Sequence, residues 1–262
     1  DKAACDAWDK SGPRPEACLA LTISPEVGHV IKFPAKALPS EGQCSDPLEL
    51  APTSNGCLPW AEAYGFYAGD GASKDVEVTV TESTSDVLSP LQNYIVGSGV
   101  FTHAYASPDN GGEAWVAHFS GGGRDSNLAN NAGGRFRIET TVKIGAGARS
   151  PTASFIPIVP IPKTSGTAAQ FQILAYDLSD LTKALTARDA TAAEYGGVFG
   201  YAGQTTLSAA NSPGKTDGIS VAASTGLVTF DTDSKAAGLY NQVVMIENAD
   251  SKIAVDFTMY VY

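Results

Sequence analysis

Along most of its length this chain alternates apolar and polar residues with a period of two. The cleanest run is Asp75-Val-Glu-Val-Thr-Val-Thr81, which puts Val76, Val78 and Val80 on one face. Arg135-Phe-Arg-Ile-Glu-Thr-Thr-Val-Lys-Ile144 does the same with Phe136, Ile138, Thr140 and Val142. Successive side chains of a strand point to opposite faces, so this is the pattern of a half-buried antiparallel sheet. Tyr64-Gly-Phe-Tyr67 predicts another strand, closed by a Gly69-Asp-Gly71 turn in which glycine supplies positive φ. Further strands are expected at 17–23, 27–33, 101–105, 115–119, 169–175, 181–187, 218–221, 227–230, 240–247 and 253–262. Helical turns are expected only near 2–8 and 191–195. Short strands at this spacing predict a mainly β chain of two tandem antiparallel sandwiches.

Punctuation sets the boundaries. Residues 1–58 carry seven prolines (13, 15, 25, 34, 39, 47 and 52), too many for a regular sheet core. All four cysteines, Cys5, Cys18, Cys44 and Cys57, fall in this segment at spacings that match no zinc site. They predict two disulfides stapling a segment with little core of its own, with three pairings left open. The first sandwich is expected over 59–148 and the second over 163–262. Between them, 149–162 holds Pro157, Pro160 and Pro162 and reads as a stiff linker that becomes an edge strand. Residues 120–134 read as a solvated Gly- and Asn-rich loop. The last strand, Ile253 to Tyr262, reads as an open edge available for strand addition.

Charge narrows the function classes. Only 17% of the 262 residues are charged, and the net charge is −11. That balance excludes nucleic acid as partner, because the phosphate backbone demands a basic patch. No run approaches the roughly 18 apolar residues of a membrane span. The chain starts at Asp1 without an apolar leader, so it reads as a mature form or a piece of a longer polypeptide. Disulfides and a hydroxyl-rich surface place it outside the cell.

Phe171-Gln-Ile-Leu-Ala-Tyr-Asp177, Gly218-Ile-Ser-Val221, Thr225-Gly-Leu-Val-Thr-Phe-Asp231 and Ala237-Gly-Leu-Tyr240 together resemble cadherin-like and immunoglobulin-like modules of extracellular proteins. Upstream, Gly69-Asp-Gly71, Thr102-His-Ala-Tyr105 and Trp115-Val-Ala-His-Phe119 resemble a PKD-type module. The tandem is similar to repeats in large secreted or surface proteins of protists and bacteria. It implies β-sandwiches that space, adhere or assemble. It also implies calcium as the one candidate ion, held by Asp177, Asp180, Asp231 and Asp233. The sequence departs from that pattern, since Asp177-Leu-Ser-Asp180 displaces one carboxylate from the usual Asp-x-Asp cluster. In the PKD-type pattern the histidine of Thr-His-Ala-Tyr is a framework residue, which His103 inherits.

Among the residues themselves, chemistry is sparse. His103 and His118 fall on strands expected to pair, which brings two imidazoles together as a metal candidate against the framework role. Glycines 121–123 precede no Lys-Ser/Thr and so form no phosphate loop. No carboxylate pair is marked for glycoside hydrolysis. Trp60, Tyr64, Tyr67 and Tyr94 form a candidate sugar-stacking platform, with core packing as the alternative. The expectation is a non-enzymatic extracellular structural or adhesive protein, self-associating in a coat, appendage or filament. Its partners are then copies of itself or neighbouring modules. The alternatives are a glycan-binding region of a larger secreted enzyme and a calcium-stabilised adhesin.

Overall fold

A computed structural model describes residues 30–33, 65–83, 95–100, 102–122, 125, 127–130, 132, 135–145, 149–154, 158–164, 166–191, 194–195 and 216–262. Among these, sixteen strands follow one another along the chain. The first eight are β1 (Val30–Phe33), β2 (Gly65–Tyr67), β3 (Ser73–Lys74), β4 (Val76–Ser83), β5 (Ile95–Ser98), β6 (Trp115–Gly122), β7 (Arg135–Val142) and β8 (Pro151–Ser154). Then come β9 (Ile158–Ile161), β10 (Ala169–Gln172), β11 (Leu174–Asp177), β12 (Thr186–Asp189), β13 (Ile219–Val221), β14 (Leu227–Phe230), β15 (Gly238–Glu247) and β16 (Lys252–Val261). The chain is mainly β, as its alternation predicts. It divides into two compact units, residues 1–32 with 77–101, and residues 33–76 with 102–262. The four cysteines lie outside the described residues.

The described part of the smaller unit is a three-stranded sheet in the order β1-β4-β5. In β4, Val76 and Val80 are buried while Glu77 and Thr79 are exposed, so the predicted faces are the observed ones. β5 lies so close to β4 that a side chain at Gly97 would meet the Val78 Cγ1 at 2.4 Å.

The larger unit is organised by one sheet, β12-β15-β16-β7-β6-β2-β3, with β9 also on β16. β15 and β16 pair over ten residues, from Gly238↔Val261 to Glu247↔Lys252. Strands β6 and β7, expected in the first sandwich, thus share a sheet with β15 and β16, expected in the second. The other side of β16 meets β7 at Ile253↔Thr140 and runs parallel to β9 from Thr258↔Ile158 to Val261↔Ile161. The final strand is therefore not the open edge expected from its place in the chain. The Pro-rich stretch covers it, becoming a strand as its stiffness suggested.

One face of β15 and β16 builds the main core. Tyr240, Val244, Ile246, Val255, Phe257, Met259 and Val261 pack against Val228 and Phe230 of β14 and Ile219 of β13. The covering layer is a sheet in the order β10-β14-β13 and the separate pair β11-β8. At Ile173, whose N–H donates to the Gly226 carbonyl, the chain leaves β14 as partner and takes up β8.

The opposite face of β15 is also buried. Val243 and Met245 pack with Ala190 and Tyr195. Leu128, from the stretch expected to be solvated, is buried and bridges to Leu239. Beside it Asn130 Nδ2 donates to the Asn241 carbonyl at 2.8 Å, and its Oδ1 accepts the Asn241 N–H at 2.8 Å. One amide side chain thus substitutes for a neighbouring strand, which is why a polar loop can lie on a buried strand. The helical turn expected at 191–195 is capped by its own glutamate. Glu194 Oε2 accepts the Thr191 N–H at 2.7 Å and the Thr191 hydroxyl at 3.0 Å, and the turn closes with the Glu194 N–H donating to the Thr191 carbonyl.

The β2–β3 turn supplies a test. Gly69 and Gly71 have nearly equal φ, 91° and 89°. A Cβ on Gly69 would sit 2.4 Å from the Val116 carbonyl oxygen, whereas one on Gly71 meets nothing within 4 Å. Gly71→Ala should cost about 1–2 kcal/mol from backbone strain alone. Gly69→Ala adds a backbone clash and should cost about 3 kcal/mol or more. Urea denaturation of the two variants checks this, and equal losses would contradict it.

Candidate functional site

The Gly-Asp-Gly turn and the Thr-His-Ala-Tyr segment form a strut. Asp70 Oδ1 accepts the Ala72 N–H at 3.0 Å, and Asp70 Oδ2 lies 2.8 Å from His103 Nε2. His103 meets Tyr105 edge-on, and the Tyr105 hydroxyl donates to the Ala68 carbonyl at 2.9 Å. Trp115 stacks on Tyr105 and donates its Nε1–H to the Ser107 carbonyl. Residues 102–105 are not the strand expected there, because their contacts are side-chain bonds onto the 68–72 turn rather than a ladder. His103 thus ties the 102–105 segment to the turn through Asp70 and packs against Tyr105. His118 sits on β6 opposite Glu139 and stacks on Tyr67 with ring centroids 5.0 Å apart.

His118 is 3% exposed, and neither ring nitrogen has a hydrogen-bond partner. Burial, reinforced by the Arg137 charge, pushes its pKa down to about 3, so the ring is neutral. Tyr67 is equally buried at 3%, which makes it a core residue and not part of a sugar platform. Trp60, Tyr64 and Tyr94 lie outside the described residues.

The four candidate calcium ligands cap turns. Asp177 Oδ1 accepts the Ser179 N–H at 2.8 Å and the Ser179 hydroxyl at 2.5 Å, while its Oδ2 accepts Asn248 Nδ2. The Ser179 bonds, aided by Asn248 and Lys183, hold this carboxyl well below the usual range. Asp180 Oδ1 accepts the N–H and hydroxyl of Thr182. Asp231 accepts the Asp233 N–H, and Asp233 accepts the Gly166 N–H. Among the described residues no three His, Cys, Asp or Glu side chains converge as a metal site.

A different polar cluster was not anticipated. On the face of the large sheet opposite the main core, six charges alternate in sign. Arg188 grips Glu194 with two bonds, 2.8 and 2.7 Å, and also contacts Glu247. Lys252 Nζ bridges Glu194 Oε1 at 2.5 Å and Glu139 Oε1 at 2.8 Å, and Arg137 reaches Glu139 Oε2 at 3.1 Å. Glu139 and Glu194 are each 5% exposed. Burial alone would raise the Glu194 pKa, yet the bonds from Arg188 and Lys252 outweigh it and hold the carboxylate well below its usual range. With every carboxylate engaged by a cation, this cluster cements strands together. The sequence signal was Glu139 itself, an acidic residue on the supposed outer face of β7.

The exposed feature best suited to binding is apolar. In β11 and just beyond it, Leu174, Tyr176 and Leu178 are 62%, 40% and 57% exposed, and Leu181 is 76% exposed. Ile173 and Asp177, of opposite parity, are 3% and 1% exposed. Across the ladder, Leu174 faces Ser154 and Tyr176 faces Thr152 of β8. The outer face of this two-stranded sheet is thus a leucine–tyrosine row beside two hydroxyls. Contiguous apolar surface on a soluble protein marks an interaction site. Nearby, a cleft of about 240 Å³ opens between Ala175, Thr186 and Ser224 over Ile246. Its one charged group, Lys183, lies 3.6 Å from Asp177 and 3.8 Å from Asp250.

Residues 50–145 match the family described as integrin beta-like protein A-E, N-terminal. The match covers a little over a third of the chain and takes in the GDG turn, the Thr-His-Ala-Tyr segment and strands β2 to β7. The more specific PKD-type and cadherin-like assignments are not what this comparison returns. A comparison with curated proteins finds no match. Among the described residues no helix is long and apolar enough to cross a membrane.

The neutral, buried His118 makes stability depend on pH. Its folded pKa, about 3, lies below the ordinary 6.5, so protons favour the unfolded chain. The contribution is complete above pH 6.5 and is lost as pH falls toward 3, amounting to about 2 kcal/mol between pH 7 and pH 5. The carboxylates held low, Glu194 and Asp177, weaken the fold only at more acid pH. His118→Phe keeps the stack on Tyr67 and should flatten the pH 7 to 5 segment. Chemical denaturation at the two pH values reads this, and an unchanged slope in the variant would exclude His118 as its origin.

Proposed function

We propose that this chain is a non-enzymatic extracellular protein of adhesive or structural type that associates with copies of itself in a surface coat, appendage or filament. The observation that carries the reading is the match of residues 50–145 to an integrin beta-like N-terminal family, whose name points to adhesion at a surface. The exposed row on β11 supports it by offering a place to adhere. The six-charge cluster supports it as well, since it consumes its carboxylates in holding strands rather than leaving an acid or base free. The reading takes no cofactor, and its candidate calcium carboxylates serve as turn caps. The glycan-binding alternative loses Tyr67 to the core.

Light scattering of the purified chain over a concentration series, with and without calcium and chelator, tests this together with adhesion of chain-coated beads to one another. The expected outcome is concentration-dependent association and bead clumping that chelator leaves unchanged. A strict monomer whose beads stay dispersed, and which binds immobilised glycans instead, would overturn the reading.

A further inference from the structure

We propose that the cleft between β11 and β12 is a docking slot for one extended peptide segment of another polypeptide, whose backbone pairs with both walls. This stands apart from the self-associating reading above. The direction of the backbone on each wall carries it. Neighbouring residues of an antiparallel strand aim their N–H and C=O groups at opposite edges. Ile173 aims its N–H at Gly226, away from β8, and Asp177 sits opposite Pro151 of β8, which has no N–H to give. Ala175 shares their parity and therefore turns its N–H and C=O away from β8, into the cleft. On the facing wall, the Ala190 N–H donates to the Val243 carbonyl of β15, whereas the Ala187 N–H points away from β15 to the Ala223 carbonyl. Leu185 shares the parity of Ala187 and faces the cleft as well. Among the described residues no turn or loop bond engages the backbone of Ala175 or Leu185.

The chain itself shows what fits. At one end of the cleft the turn between β13 and β14 lies between the walls and accepts a bond from each. The Gly226 carbonyl takes the Ile173 N–H at 3.2 Å, and the Ala223 carbonyl takes the Ala187 N–H at 2.8 Å. One segment bonded on both sides sets the walls two strand spacings apart, about 9–10 Å. Beyond the turn the cleft continues over Ile246 with a volume of about 240 Å³. Its width is that of one more strand, and strand edges with outward N–H and C=O groups take up extended peptides. A purely apolar occupant would take those groups from water without bonding them, which is costly. Ala175, Ala187 and Ile246 leave room for small or β-branched side chains. At the far end Lys183 faces Asp177 and Asp250 and feels the charge of Asp180. Three carboxylates to one cation favour a basic residue there. A strand antiparallel to β11 brings its first residue to that end.

The probe is the blocked tetrapeptide acetyl-Arg-Val-Ala-Val-amide, titrated into the isotope-labelled full chain while its amide resonances are followed. The expected result is saturable shifts centred on the Ala175 and Leu185 amides, with a dissociation constant on the order of 1 mM. An analogue with esters in place of the two central amides keeps the shape, loses the donors and should bind at least about tenfold more weakly. Ala184→Trp and Ser224→Trp, at exposed positions lining the cleft, fill it from different sides and should each abolish the shifts. Circular dichroism and melting confirm that both variants fold. No response at Ala175 and Leu185 with peptide at about tenfold the expected constant would overturn the inference. So would binding that both tryptophan variants leave unchanged. Equal binding by the ester analogue would overturn backbone pairing. If diacetylchitobiose moves the same amides and the peptide does not, the cleft takes an acetamido sugar and the peptide assignment falls. None of these results bears on whether the chain associates with itself, which light scattering reads separately.

Discussion

The larger unit depends on the pairing of β15 with β16 and on the burial of β15 from both sides. Eight consecutive residues of β15, from Leu239 to Ile246, are buried. A strand so placed must find cover on two faces, and the two covers differ in kind. On one side it is ordinary apolar packing, Phe230 and Val228 over Val244 and Ile246. On the other, the strand's own Asn241 and the charges of β7, β12 and β16 require partners, since an unpaired polar group away from water is costly. The Asn130 amide bonds the Asn241 backbone, Asp256 accepts from the Asn241 side chain, and Arg188 and Lys252 engage Glu194, while Gln242 on the core side accepts the Thr216 N–H.

The charge cluster shows why so ionic a layer is tolerated in a chain otherwise poor in charge. Three carboxylates and three cations alternate, so the layer is neutral, and bidentate and bridging bonds fill the acceptor sites of Glu194. A buried ion pair adds little net stability when complete, but losing one partner costs several kcal/mol because the other charge stays buried. Such a layer therefore favours one arrangement of β7, β12, β15 and β16 over near alternatives more than it deepens the fold. His118 lies on the same face, beside Glu139, and remains neutral because burial and the nearby Arg137 charge disfavour its protonated form.

What the sequence revealed follows from how cleanly its alternation maps onto one buried face. β4 was legible because valines and polar residues strictly alternate and only the valines are buried. β7 was half legible: its strand was evident, yet Glu139 lies deeper than Ile138 because a second layer covers the side expected to meet water. The row on β11 was hidden for the opposite reason. Ile173-Leu-Ala-Tyr176 is apolar at every position, so alternation could not separate the buried Ile173 from the exposed Leu174 and Tyr176. The stretch 149–162 was read from its prolines as a linker that becomes an edge strand, but its proline content could not name the partner of Pro160, which is β16 a hundred residues away. Local composition carries no information about such pairings.

The same connections bear on the adhesive role proposed above. The segment matching the integrin beta-like family includes β6 and β7, which lie in the same sheet as β15 and β16. The β11–β8 face packs over that sheet through Ala175 and Ala153 at the margin of the main core. Hydrogen-bonded ladders and close-packed cores deform little, so a contact made at the β11 face is mechanically joined to the 68–72 turn and its Asp70–His103 strut. For the adhesive role proposed above, this property matters more than a pocket. Its binding surfaces must hold their spacing under tension, and a continuous sheet with neutral, fully engaged charges at its centre provides that without moving parts.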